Sequence, residues 1–389
     1  MKHRTWLAVV VALLVSSCAP TGLPDRPGDT VIIGMQSDIQ SWNPFLAEDA
    51  NNEEILALIY PSLAVEQVDY QQHPPSFDPS LAESWEFSED GLSLTSKLRT
   101  DAVWSDGVPV TAHDFEYAWK RMLDPATASR NACLLYDVKG AKAFHQGIID
   151  DRDAVGVRAT GDAVLTVELE RPVAYFLHLL AMCATFPVPR HLVEQRGATW
   201  AEPGHIVTNG PFCLASWERG ESMVLVRYPH YHGRFGGNVH QVTLSLLSRL
   251  ETSRDFQMYE AGLVDAVSVI SPGWEEKGFL HKHAGEFILG PAAETVYLAF
   301  PVGQAPFDDL RLRRAFAYAT NREALPDVTQ GVFASPALGG FVPPGIPGHV
   351  PDIALPYDPE RARQLLAEAG YPDGKGFPPV DWLTLPWSQ

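Results

Sequence analysis

Cysteine is scarce. The 389 residues hold four, Cys18, Cys133, Cys183 and Cys213, and no two are spaced as C-x-x-C. A structural zinc site built on paired thiolates is therefore not expected. Positive charge is also in short supply: 29 Lys and Arg stand against 48 Asp and Glu, a net charge of -19. No basic stripe offsets this excess, so nucleic acid is not an expected partner, and the acidic field speaks mainly for solubility. Neither G-x-S-x-G nor H-E-x-x-H occurs, which removes the nucleophile elbow of many hydrolases and the zinc helix of many proteases. After Val15 there is no apolar run approaching the ~20 residues that cross a bilayer, and there is no internal repeat. What is present is a globular composition, 46% hydrophobic and 20% charged, with room for two or three domains.

The N-terminus carries its own signal. Lys2 and Arg4 precede an apolar run from Trp6 to Val15, followed by Ser16, Ser17 and Cys18. A basic head, an apolar middle and a small-residue exit form the pattern of a secretory signal. Val15-Ser16-Ser17-Cys18 resembles the bacterial lipobox, which implies that Cys18 becomes the lipidated first residue; the alternative is a plain signal peptide with an incidental cysteine. Residues 19–29 hold three prolines and two glycines and read as a flexible tether. With Cys18 lipidated, three cysteines remain in an oxidising compartment and at most one pair can form. Cys183 and Cys213 flank what read as successive strands and make the candidate pair; the alternative is three small buried residues.

Periodicity sketches the rest. Val31 to Met35 reads as a buried strand, and Glu48 to Ser62 as a helix with Ile55, Leu58 and Ile59 on its apolar side. Leu92 to Arg99 alternates as a half-exposed antiparallel strand after an Asp90-Gly91 turn. Thr111 opens a helix with Asp114 three positions on, a capping-box spacing, and the helix ends before Pro125. A second alternating strand carries Leu165, Val167 and Leu169. Further strands are expected at Ser222 to Tyr228, Val242 to Leu247 and Glu294 to Phe300, and helices at Leu310 to Thr320 and Pro359 to Ala369, the last between Asp358 and Gly370. Ser335 to Pro356, rich in Pro and Gly, is loop. Strands and helices mix without a strict βαβ rhythm, which points to α/β and α+β structure in more than one lobe.

Few residues suggest chemistry. Gly370 to Lys375 falls one residue short of a phosphate loop and follows a helix, so it is a helix stop. His230, His232 and His240 lie in a Gly-rich turn, where exposed histidines are more common than metal ligands. His281 and His283 are weaker candidates still. No metal and no cofactor is expected.

Several segments resemble one family. Leu81 to Arg121 contains Trp104-Ser-Asp-Gly-Val-Pro-Val-Thr-Ala112 and continues as DPATAS from Asp124 to Ser129. Pro203 to Phe212 (PGHIVTNGPF), Tyr259 to Asp265, Pro306 to Ala319 and Tyr357 to Phe377 follow in order. Together they are similar to the extracytoplasmic solute-binding proteins of family 5, which serve peptide ABC importers, and DPATAS points to the oligopeptide branch. The resemblance implies an α/β, two-lobed periplasmic-binding-protein-like fold (type II, cluster C) with an extra subdomain. In this sequence it implies a signal peptide at 1–17, a lipidated tether at 18–29, a discontinuous lobe I at 30–64 and 187–269, an inserted subdomain at 65–186, and lobe II at 270–389. Lobe II is expected to be incomplete, because relatives continue past the equivalent of Gln389; reduced stability and weak or absent peptide binding would follow.

The implied activity is binding of oligopeptides outside the cytoplasm and delivery to a membrane permease, by a monomer, without catalysis. The segment Glu48, Asp49, Ala50 and Asn51 aligns with one that runs along the bound peptide, and is equally readable as an acidic helix N-terminus. Ser268 aligns with the crossover between lobes, and Tyr297 with a cleft-lining strand or a core position. Trp104, Asp106 and Gly107 read as a structural turn. Arg130-Asn131 stands where many relatives carry an aromatic. The alternatives are a binder of another solute (nickel chelate, haem or a signalling peptide), a truncated remnant, and a secreted hydrolase, for which no motif speaks.

Overall fold

The computed structural model describes residues 28–35, 37–47, 50–67, 76–233, 237–246, 252–267, 277–286, 295–328, 335–344, 346, 348–381 and 383. Two compact units divide the chain: Met1–Val65 with Asp78–Ser268, and Glu66–Phe77 with Val269–Gln389. The strands are β1 (Thr30–Met35), β2 (Ala64–Gln67), β3 (Ser76–Pro79), β4 (Ala82–Phe87), β5 (Ser93–Leu98), β6 (Val157–Ala159), β7 (Val164–Glu168), β8 (Phe212–Glu218), β9 (Ser222–Arg227), β10 (Gln241–Leu246) and β11 (Ala266–Val267). Two of the helices in the first unit are α1 (Ala50–Ile59) and α2 (Ala112–Met122).

The first unit holds a five-stranded mixed sheet in the order β11-β1-β10-β9-β8. Strand β1 is parallel to both neighbours, with Met35 opposite Leu246 of β10 and Gly34 opposite Val267 of β11. β10, β9 and β8 continue antiparallel. Val242 pairs with Leu225 and Leu244 with Met223, and all four are buried. Directly opposed residues share a face, so this register gathers one apolar side of the sheet.

A second sheet, β4-β5-β7-β6, is antiparallel. Its alternation is the one expected from sequence: Leu94 and Leu98 of β5 and Leu165 and Val167 of β7 are buried, with Ser96 enclosed among them. Helix α2 presents Phe115, Ala118, Trp119 and Met122, none of them accessible to solvent. Asp114 Oδ2 accepts the Thr111 backbone N–H at 2.8 Å and the Thr111 hydroxyl at 3.3 Å, closing the predicted helix start. The residues Trp104 to Val108 form a tight turn, with Trp104 N–H donating to Val108 O and Gly107 N–H to Trp104 O, both at 2.8 Å. Gly107 takes φ +87° there, a left-handed value that favours glycine. The Trp104–Asp106–Gly107 motif is thus a structural turn.

In the second unit, helix Leu310–Ala319 packs on helix Pro359–Glu368. Both are capped as their sequences require: Asp309 accepts from Arg311 N–H at 2.8 Å and Asp358 from Arg361 N–H at 2.9 Å, and Gly370 leaves the second helix at φ +98°. One expectation fails here. Residues 295–300 form no strand, and Val296 is 89% exposed. The sequence has β propensity, but a strand also needs a neighbour for its backbone groups, and no described residue supplies one.

Candidate ligand-binding site

In open sheets with parallel strands, ligands collect beyond the carboxyl ends of those strands. Here those ends belong to β1 and its neighbours. The chain leaves β1 through Ser37, which is buried. The Asn51 side-chain amide, in the first turn of α1, donates to Ser37 Oγ. Asn52, fully buried, accepts the Gln40 backbone N–H on its Oδ1 at 3.2 Å. The start of α1 is thereby fastened to the turn that follows β1. Asn51, half-buried, sits at this junction and Ala50 is the first residue of α1.

Glu48, Asp49 and Ser268 lie outside the described residues, although Ser268 directly follows Val267, the last residue of β11. Tyr297 belongs to the second unit. It is 64% exposed, with its ring edge-on to Phe341 at 5.0 Å, so it is not a core tyrosine.

Two features of this junction have no sequence pattern. Asp38 accepts the Trp217 indole N–H at 3.0 Å and the Gly220 backbone N–H at 2.9 Å, tying the turn after β1 to the β8–β9 hairpin. Trp217 meets Trp42 edge-on at 5.6 Å and carries the Arg219 guanidinium over its ring at 4.5 Å. From another direction, the Ser129 hydroxyl donates to Phe45 O at 2.7 Å and the Asn131 amide to Ala47 O at 2.8 Å. Both carbonyls belong to the stretch that leads into α1.

The cysteines correct an expectation. Cys133, Cys183 and Cys213 are all free thiols. Cys183 starts a 3-10 turn instead of flanking a strand, while Cys213 lies in β8 and accepts from the Thr208 hydroxyl at 3.3 Å. Burial, with the nearby Glu53 carboxylate second, pushes the Cys183 thiol up to about 12, so it stays protonated and unreactive at neutral pH.

The histidine-rich turn is held by Arg99. Its guanidinium forks onto Asp101 at 2.6 and 2.9 Å and donates to His232 O at 3.0 Å. Burial, followed by the Arg99 charge, lowers the His232 pKa from 6.5 to about 4. Among the described residues, no group of three His, Cys, Asp or Glu is arranged to hold a metal. A pH dependence follows from the depressed pKa. Neutral His232 is favoured in the folded state, so its contribution is complete above pH 6.5 and fades as pH falls toward 4. With a discount for partial exposure, that is about 1–2 kcal/mol. Urea unfolding at pH 7 and pH 4.5 should show a smaller loss for His232→Gln than for the wild type; parallel losses would contradict it.

The family model for bacterial extracellular solute-binding proteins, family 5, matches residues 76–385. The chain is 32% identical over 378 residues to the periplasmic oligopeptide-binding protein OppA of Escherichia coli K12, covering 93% of this chain and 67% of that one. Among solved structures, OppA of Burkholderia pseudomallei superposes with a TM-score of 0.77 at 29% identity, over 90% of this chain and 68% of the other. Haemophilus influenzae OppA in complex with RPPGFSPFR gives 0.72 at 28% identity, over 88% and 66%. The chain thus spans about two thirds of the length of these relatives.

Proposed function

The chain belongs to the bacterial extracellular solute-binding proteins, family 5, and from that membership we propose that it binds oligopeptides outside the cytoplasm and delivers them to an ABC-type importer. The observation that carries this reading is the extent of the likeness to OppA, 32% identity over 93% of the chain. A relative of matching fold holds a nine-residue peptide. The protein acts as a binder and not as an enzyme, and as a monomer.

An extended peptide offers one donor and one acceptor per residue along its main chain. Side-chain amides, hydroxyls and strand ends can meet these groups, while water fills pockets around variable side chains and tolerates their differences. Glu48 and Asp49 ahead of α1, and Ala50 and Asn51 in its first turn, are proposed contacts, with Ser268 the contact after β11. Tyr297 is the proposed contact on the second unit. Residues 30–64 and 187–269 are proposed as lobe I, 65–186 as its inserted subdomain and 270–389 as lobe II. Lipid on Cys18, beyond a signal peptide of residues 1–17, would keep the receptor at the membrane that holds its permease; Cys18→Ala should move the protein to the soluble fraction and abolish palmitate labelling.

Isothermal titration tests the binding. RPPGFSPFR or Ala-Ala-Ala should give saturable, one-to-one heat, and Asn51→Ala should weaken it roughly five- to tenfold, the worth of one hydrogen bond at about 1 kcal/mol. Absence of heat with both peptides would refute the reading.

A further inference from the structure

We propose that Asn131 is a positioning residue for the peptide site: with Ser129, it fixes the chain leading into α1 and so sets the place of Asn51. The inference rests on the peptide-binding reading and adds a residue from a segment remote in sequence. Ser129 is buried, 4% exposed. Its hydroxyl donates to Phe45 O at 2.7 Å and accepts the Asn131 backbone N–H at 3.2 Å. That second bond caps the 3-10 turn Arg130–Leu135 and holds Asn131 where its amide reaches Ala47 O at 2.8 Å.

Two donors two residues apart therefore meet two carbonyls two residues apart. A single bond would leave the acceptor segment free to pivot; the pair fixes both its position and its direction. Phe45 and Ala47 are themselves buried, at 0% and 1% exposure, so water cannot take over the lost bonds without a structural opening, and an unpaired buried carbonyl is costly. On the other side, Asn51 is tied to Ser37 and Asn52 to Gln40. Phe45 and Ala47 are thus held ahead of α1, and Asn51 and Asn52 within its first turn, with the Ser129–Asn131 strap reaching in from a segment remote in sequence.

The strap makes ligand affinity depend on a side chain that touches no ligand. With RPPGFSPFR as probe, Asn131→Ala and the isosteric Asn131→Asp, which lacks the donor, should each raise Kd five- to tenfold. Asn131→Gln, which keeps an amide, should recover part of the loss, and Cys133→Ser, exposed on the same turn, should change nothing. In an Asn51→Ala background the Asn131→Ala effect should fall below twofold, because the strap acts through Asn51. In the ligand-free protein, Asn131→Ala should speed amide exchange at Asn51 and Asn52.

An equal loss in both backgrounds would reduce Asn131 to a general structural role and overturn the proposal, as would an unchanged Kd in a wild type that binds. Unchanged exchange at Asn51 and Asn52 would overturn the strap without reference to ligand. A wild type that ignores the peptide sinks the peptide reading instead.

Discussion

Trp119→Ala is expected to lower the unfolding free energy by about 4 kcal/mol, the largest effect of any single substitution considered. Trp119 is inaccessible to solvent and lies on the buried side of α2 with Phe115, Ala118 and Met122. Its indole N–H donates to Thr185 O at 2.8 Å, in the buried 3-10 turn Cys183–Thr185. Truncation empties an indole-sized volume, for which large-to-small changes cost about 3–5 kcal/mol. It also strands a buried carbonyl. Against a domain stability of about 5–15 kcal/mol, that loss removes from about a quarter to most of the margin. Trp119→Phe retains most of the packing and loses the hydrogen bond, so about 1–2 kcal/mol is expected. Urea unfolding followed by circular dichroism gives both values; equal, small losses would mean that the α2 face is not a packed core.

Gly210→Ala should cost about 2–4 kcal/mol through a different cause. A Cβ at Gly210 would lie 2.5 Å from the carbonyl carbon of Ile59, 2.7 Å from its oxygen and 2.8 Å from its Cα. All three are backbone atoms, so no rotamer change relieves the overlap. Ile59 O accepts both the Asn209 and Gly210 N–H groups, at 3.2 and 2.8 Å, and both bonds would break as the C-terminal end of α1 moves. The same helix begins at Ala50 and carries Asn51, so peptide affinity should fall with stability. Gly278→Ala, on an exposed helix with nothing within 4 Å of the new methyl group, should be neutral or slightly stabilising. Equal effects at the two glycines would refute the close-approach argument.

The parts of the fold that sequence disclosed are those governed by local rules. Thr111 and Asp114 sit at a spacing that can close a helix start, and they do. Asp358 and Gly370 bracket their helix for the same reason. Leu94, Leu98, Leu165 and Val167 alternate because one sheet face is buried. Failures arise where a partner decides. Residues 295–300 look like a strand from inside the segment, yet a ladder depends on a second segment. The Cys183–Cys213 pairing assumed two flanking strands where one cysteine begins a 3-10 turn. β8 carries no such signal: Phe212 to Glu218 follows a Gly-Pro turn and mixes polar with apolar residues without strict alternation.

The site was less legible still. Glu48 to Asn51, Ser268 and Tyr297 were placed by family resemblance and by no property of their own. Asp38 with Trp217, and Ser129 and Asn131 with Phe45 and Ala47, join residues 179 and 84 positions apart. No periodicity or spacing rule reaches across such distances; these contacts exist only once the sheets have set the segments side by side.

The central claim is that this chain carries peptides. Native mass spectrometry of the protein purified from cells tests it most directly, followed by release and sequencing of whatever is bound. The account predicts a one-to-one complex whose released ligands are short peptides of mixed sequence, exchangeable for added RPPGFSPFR. A protein that stays at its bare mass with that peptide in excess, or that yields only a non-peptide ligand, would contradict it.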